Sequence, residues 1–289
     1  MSKILNILFP TLQDLRESAP GVSSSLKMEE LNSSARSAKK RIVDIITTKL
    51  YDEVVKEDSE AHSCLCMAMA NLTMFQHLVF DIIARRESGS GEVYKTELET
   101  MRRQYIDNYY NAMDSLLQEF ELSECYKENW HNTPGRKDYA TLKIKTATDF
   151  DSFYGIDMSY LFFFRTIPIQ KEVLDDVISS YFERIKEKND SALERKLLRA
   201  LAQLIVSIAI VRFDIIELPA TIRSLFDEQK SSRSGADEHS RLKELSASLH
   251  KSALDILQGV DLILSEPESG SIDTETSFNE PEDKIYLLG

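Results

Sequence analysis

The sequence predicts an all-α chain: two tandem copies of a three-helix unit packed about a pseudo-twofold axis, an extended linker between them, and a flexible C-terminal arm. Three observations carry this. Helix breakers are scarce, with 9 Gly and 7 Pro in 289 residues. Apolar residues recur three or four apart over long stretches, the spacing of a one-sided helical stripe. A set of segments also recurs in order at nearly constant spacing, the mark of an internal repeat.

The repeat is read as follows. KRIVDIITTKLYDEVVK begins at Lys40 and KEVLDDVISSYFERIKE at Lys171, aligning Ile42 with Val173, Tyr51 with Phe182 and Val54 with Ile185. Phe80-Asp81-Ile82-Ile83 returns as Phe213-Asp214-Ile215-Ile216, and Ala112-Met113-Asp114 as Ala253-Leu254-Asp255. A fainter echo pairs Thr11–Asp14 with Thr146–Asp149. These matches divide the chain into repeat one (1–133), linker and repeat two (134–265), and an acidic arm (266–289).

In repeat one the helices are expected at about 28–55, 62–86 and 93–120. The first carries the stripe Leu31, Ala35, Ala38, Ile42, Ile46, with Ser23–Ser25 as N-caps. The second is apolar nearly all round and should be central. Repeat two places its helices at about 170–188, 191–218 (stopped before Pro219) and 236–264. His131–Arg136 reads as a Pro-Gly turn, and 137–148 as a short strand or extended crossing. Two apolar second helices can bury one another, so Ala70, Met74, Leu201 and Ile208 are expected in one core.

Charge and cysteine usage narrow the function. The net charge is −13, and eight of the acids lie between Asp261 and Asp283 with no Lys or Arg among them. The body is therefore only mildly acidic and has no overall field drawing it to phosphate backbones, so nucleic acid is not the expected partner. Basic clusters such as Lys39-Lys40-Arg41 and Arg102-Arg103 read as solvated helix faces. Three cysteines, Cys64, Cys66 and Cys125, form no disulfide framework. Met1–Pro10 is too short an apolar run for a secretory leader, and Ala200–Val211 too short to span a bilayer. A cytosolic chain is expected.

No catalytic site, metal site or cofactor is expected. His62, Cys64 and Cys66 are soft ligands, but residues two apart on a helix point away from each other. Glu128 and His131 have the Glu-x-x-His spacing of di-iron bundles without the second copy such a site needs. His77 reads as a core or interface histidine. No phosphate loop, nucleophile elbow, HExxH or CxxC occurs. Two segments suit partners instead. Met158–Phe164 packs four aromatics into seven residues, either anchoring the linker or forming an interface. Its Tyr160, Phe162, Phe163 and Phe164 are candidate interface residues. So are Ile285, Tyr286, Leu287 and Leu288, an apolar peptide after the acidic arm that could add to another protein.

The order of patterns resembles a known family. A helix with Ala38, Ile42, Ile46 and Leu50-Tyr51 precedes one with Ala68, Asn71-Leu72 and Met74-Phe75. Then come Ser90-Gly91, Lys95-Thr96, Trp130, and Thr146, Asp149-Phe150, Tyr154 and Ile156. This is similar to proteins encoded by phages and prophages of anaerobic gut bacteria, over residues 25 to 265. The resemblance implies a virion structural protein of the head–tail connector type. Such a protein would join a ring homo-oligomer, bind portal or tail components, and sit in the bacterial cytoplasm before entering the virion. It carries over no functional residue. The alternative is a monomeric, host-directed binding or regulatory module without catalytic activity.

Overall fold

The computed structural model describes residues 4–23, 26–87, 95–186, 190–227 and 235–265. Among them every regular element is helical. The first half of the chain forms α1 (Ile4–Leu8), α2 (Leu12–Ser18), α3 (Asn32–Val54), α4 (Glu60–Glu87), α5 (Lys95–Leu122) and α6 (Glu124–His131). A one-turn α7 (Pro134–Lys137), a 3-10 turn (Asp138–Thr141) and α8 (Ala147–Phe153) follow. The chain continues with α9 (Tyr160–Val173), α10 (Ser179–Lys186), α11 (Ser191–Arg212), α12 (Ala220–Asp227) and α13 (Gly235–Ser265).

Two apolar cores form. In the first, α4 lies between α3 and α5, with α2 across it. The α3 stripe of Ala35, Ala38, Ile42 and Ile46 is fully buried there. In the second, α11 lies against α13 and α9, with α8 across it. The expectation that α4 and α11 bury one another is corrected. Ala70 and Met74 belong to the first core, Leu201 and Ile208 to the second. A helix apolar all round needs covering, and here each central helix is covered by its own neighbours in sequence.

The window Glu60–Phe80 of α4 is long and apolar enough to cross a membrane, but 67% of it is buried inside the protein. That is how a core helix reads.

Three further expectations shift. The first long helix begins at Asn32 rather than near Met28, and the Asn32 amide holds the Glu29 carbonyl at 2.9 Å. The helix expected from 170 begins ten residues earlier at Tyr160, carries Pro168 within it, and passes through a π-turn (Leu174–Ile178) into α10. The segment 137–148, expected as a short strand or extended crossing, is helical at both ends, and only residues 142–146 lie outside regular structure. Its buried Ile144 donates its N–H to Gln170 Oε1 (2.9 Å) and accepts from Gln170 Nε2 (3.2 Å). One side-chain amide thus satisfies both backbone groups a neighbouring strand would have satisfied.

Candidate functional site

Two places can do more than fill space: the seam joining the cores, and a groove on the second half.

The seam is built around the start of α9. Asp157 and Met158 both take positive φ (57° and 54°), a conformation side chains rarely adopt, and this reversal aims the chain across α5. It is held from two sides. Asp151 Oδ1 accepts from the Ile156 and Met158 N–H groups (2.8 and 3.1 Å), while the Asp157 carboxylate accepts from the Thr221 N–H at 2.7 Å and from its hydroxyl. Ser159 then caps α9, accepting from Phe162 N–H at 3.1 Å. Asp114, on α5 in the first half, caps it again, accepting from Leu161 N–H (2.7 Å) and the Ser159 hydroxyl (3.1 Å). Burial pushes the Asp114 carboxyl up to about 6, the capping hydrogen bonds oppose this, and the Asp157 charge adds to the rise.

The four aromatics read from the sequence as either a linker anchor or an interface lie at this seam. Phe162 and Phe163 are buried in the second core, Phe163 meeting Tyr139 edge-on at 5.2 Å. Tyr160 and Phe164 are half-buried against both cores, and Phe164 packs on Trp130 at 5.9 Å. All four pack within the protein, with Tyr160 and Phe164 keeping part of their surface open to solvent. Gly135 makes this possible: a Cβ there would stand 2.5 Å from the Phe164 ring. Ile285, Tyr286, Leu287 and Leu288 lie outside the described residues.

Ion pairs close the seam. Arg165 meets Glu217 at 2.9 Å, donates to the Tyr110 hydroxyl at 3.3 Å and lies over the Phe213 ring. Arg223 of α12 meets Asp107 of α5 at 2.7 Å. Two small hollows of about 120 and 310 Å³ remain beside Asp114 and Arg165. Their tyrosines are poor acids, because burial pushes the Tyr109 and Tyr110 hydroxyls well above their usual range. The seam joins; nothing in this geometry activates a nucleophile.

The other motifs resolve as structure. Cys66 Sγ lies 3.7 Å from His62 Nε2 one turn away, but burial holds the Cys64 and Cys66 thiols up at about 11, so both stay protonated near neutral pH. No group of three His, Cys, Asp or Glu able to hold a metal occurs among the described residues. His131 meets Glu121 at 3.2 Å, as do Trp130 (2.7 Å) and Arg136 (2.6 Å). Burial works against the Glu121 charge, yet the hydrogen bonds from Arg136, Trp130 and His131 together with the Arg136 charge outweigh it and hold the carboxyl below its usual range. This hub pins α6 and α7 to the end of α5. His77 is buried in α4, 6.2 Å from the Phe80 ring.

The groove lies between α11 and α13 and encloses about 500 Å³. Its floor is apolar: Ile208, Val211, Ala247 and Leu254, with Val211 54% and Leu254 39% exposed. Its rim carries Lys243, His250, Lys251 and Arg212, the last held by Glu172 through two bonds of 2.6 Å. Ser246 is already committed, donating to the Ser207 carbonyl at 2.7 Å. An apolar surface edged by cations is complementary to apolar side chains flanked by negative charge. Sequence reading missed it, although a signal existed: Lys243, Ala247, His250 and Leu254, spaced four, three and four apart, share one helix face.

Compared with models of known families, with curated proteins and with solved structures, the chain matches none.

Proposed function

We propose that this protein works by docking to other proteins, as an assembly component of a phage virion at the head–tail connection. The observation that carries the docking reading is the open groove on α11 and α13, whose apolar floor and cationic rim form a surface made for a partner. The phage setting rests on the resemblance of the sequence patterns. The seam fits the same role, since it makes one stiff body from two cores, and a ring member must hold its shape under load.

We also infer that the two halves descend from a duplication. Local structure supports this beyond the sequence matches. Thr11 and Thr146 each cap a seven-residue helix through the N–H of an Asp three residues on. Those helices, α2 and α8, lie across α4 and α11 respectively. The first long helix of each half is irregular at the corresponding place, with Thr47 at φ 71° in α3 and a π-turn ending at Ile178.

The test is immunodetection of the protein across a density gradient of particles from an induced host culture, with Leu254→Glu as the comparison. Signal in the full-particle band, lost for the variant, supports docking through the groove. Signal confined to soluble fractions in both overturns the virion role and leaves the host-directed binding module.

A further inference from the structure

We propose that the hollow of about 310 Å³ at the seam is a binding site for a free aliphatic amino acid, its carboxylate on Arg41 and the Tyr109 hydroxyl and its ammonium on Asp44.

The hollow opens where the two cores meet. Arg41, Asp44 and Ile45 of α3 and Ile106 and Tyr109 of α5 line it from the first half. From the second half come Leu161 and Arg165 of α9 and Glu217 of the 3-10 turn Ile215–Glu217.

Tyr109 carries the argument. It is only 6% exposed, and what it shows lines the hollow. Among the described residues its hydroxyl makes no hydrogen bond, whereas the Tyr110 hydroxyl beside it accepts from Arg165 at 3.3 Å. A hydroxyl buried without a protein partner is costly and calls for something that enters to meet it. Burial keeps the phenol protonated and so a donor, while the Arg165 and Arg41 charges favour an anion at its tip.

Charge selects the class of ligand. Arg165 is already committed to Glu217 at 2.9 Å and to the Phe213 ring. Arg41 and Asp44, one turn apart on α3, form no ion pair with each other or with any other described residue. The hollow thus offers one free cation, one free anion and one free donor, together with the apolar Ile45, Ile106 and Leu161. A carboxylate takes the guanidinium and the hydroxyl, an ammonium takes Asp44, and an aliphatic side chain takes the isoleucines and the leucine. The two arginines are matched by two acids, so a net-neutral occupant leaves no charge uncompensated. A phosphate or a dicarboxylate would instead face Asp44 and Glu217. The volume lies at the low end of the roughly 300–1,000 Å³ of small-molecule sites, which suits an amino acid better than a cofactor.

An occupant here touches both cores at once. It binds only while they are joined, and so stabilises the joined state by mass action. The site does not depend on the docking reading.

The test is calorimetric titration of the full chain with L-leucine. Two relatives each lack one charge: 4-methylpentanoate has no ammonium, and 3-methylbutylamine has no carboxylate. Leucine should bind, and each relative should bind at least about tenfold more weakly, as expected on losing a charged hydrogen bond. Tyr109→Phe and Arg41→Gln should each weaken leucine by about tenfold or more. Neither change removes a protein partner, so the empty variants should melt within about 2 °C of the parent. No binding of leucine, isoleucine or valine at about 10 mM would overturn the site and leave the hollow to water. Binding of 4-methylpentanoate as tight as that of leucine would overturn the amino-acid assignment, and tighter binding of inorganic phosphate would do the same. A markedly lower melting temperature for empty Tyr109→Phe would give the hydroxyl a structural role and remove the observation on which the site stands. None of these outcomes bears on the density-gradient experiment, so the site and the assembly role stand or fall separately.

Discussion

Each of the two cores has a long apolar helix packed against a long amphipathic one, and those amphipathic helices, α5 and α13, are covered differently. In the first, α5 buries Tyr105, Ile106, Tyr109, Met113, Leu116, Leu117 and Phe120, because α4 covers one side and second-half elements lie on the other. In the second, α13 buries Ala253, Leu257 and Val260, while Leu242, Leu245 and Leu249 stay half-exposed. The outer side of α5 is met by α6, α9 and the 3-10 turn Ile215–Glu217, whereas α13 meets α11, α12 and, at Asp261, Tyr181 and Arg184 of α10.

The largest expected effect tests this directly. In the chain ending at Ser265, Met113→Ala should cost about 2–5 kcal/mol, as for other fully buried large-to-small changes. The matching Leu254→Ala should cost under about 0.5 kcal/mol, the range of surface changes. Denaturant melts of the pair would show it, and equal costs would break the comparison.

Closing the seam depends on Gly135. Gly135→Ala forces the Phe164 ring away from Trp130 and should destabilise by about 1–3 kcal/mol, the usual cost of overpacking. Gly259→Ala, in α13 with nothing within 4 Å of an added Cβ, should instead stabilise by about 0.5–1 kcal/mol.

Asp114 is the first half's contribution to α9. Asp114→Ala removes a cap and should cost about 1–2 kcal/mol. Its carboxyl titrates at about 6 when folded against an ordinary 3.8, so the folded state holds its proton more tightly. The burial cost of the charge is present above about pH 6 and is relieved as pH falls toward 4. The difference in melting temperature between Asp114→Asn and the parent should therefore change between pH 7 and 4, moving in the parent's favour as pH falls. A constant difference would remove Asp114 from the pH response.

A smaller effect than that at Asp114 lies in α3. Thr47 sits at φ 71°, ψ 156°, a region nearly reserved for glycine. Thr47→Gly should raise stability by about 1 kcal/mol, whereas Thr48→Gly, one residue on in the helix, should lower it by a similar amount.

Periodicity made α3, α4, α5, α11 and α13 legible, because each is long enough for a stripe to repeat. The short α1, α2, α6 and α8 are not, and only capping chemistry betrays them: Thr-x-x-Asp at Thr11 and Thr146 would have found two. The start of α9 was hidden by Ile167-Pro168, since a residue before proline is pushed out of the helical region and the pair reads as a boundary. The helix runs through it nonetheless, capped upstream by Ser159 and Asp114. The aromatics were seen as special, but pattern alone cannot say whether a cluster faces a core or a partner. The groove was invisible for a related reason. Val211 closes an apolar run and Leu254 sits beside Ala253, so neither stands out in sequence, and only the packing of α11 on α13 brings them to one groove.

Asp114 also sets an order of events. A chain emerging from the ribosome delivers α5 before α9, so the carboxylate that caps α9 is in place when Ser159 and Leu161 appear. The first half acts as a template on which the second starts its longest irregular helix. A circular permutant opening at residue 134 would have to begin α9 without that template, and its refolding should be slower even where its final stability is unchanged.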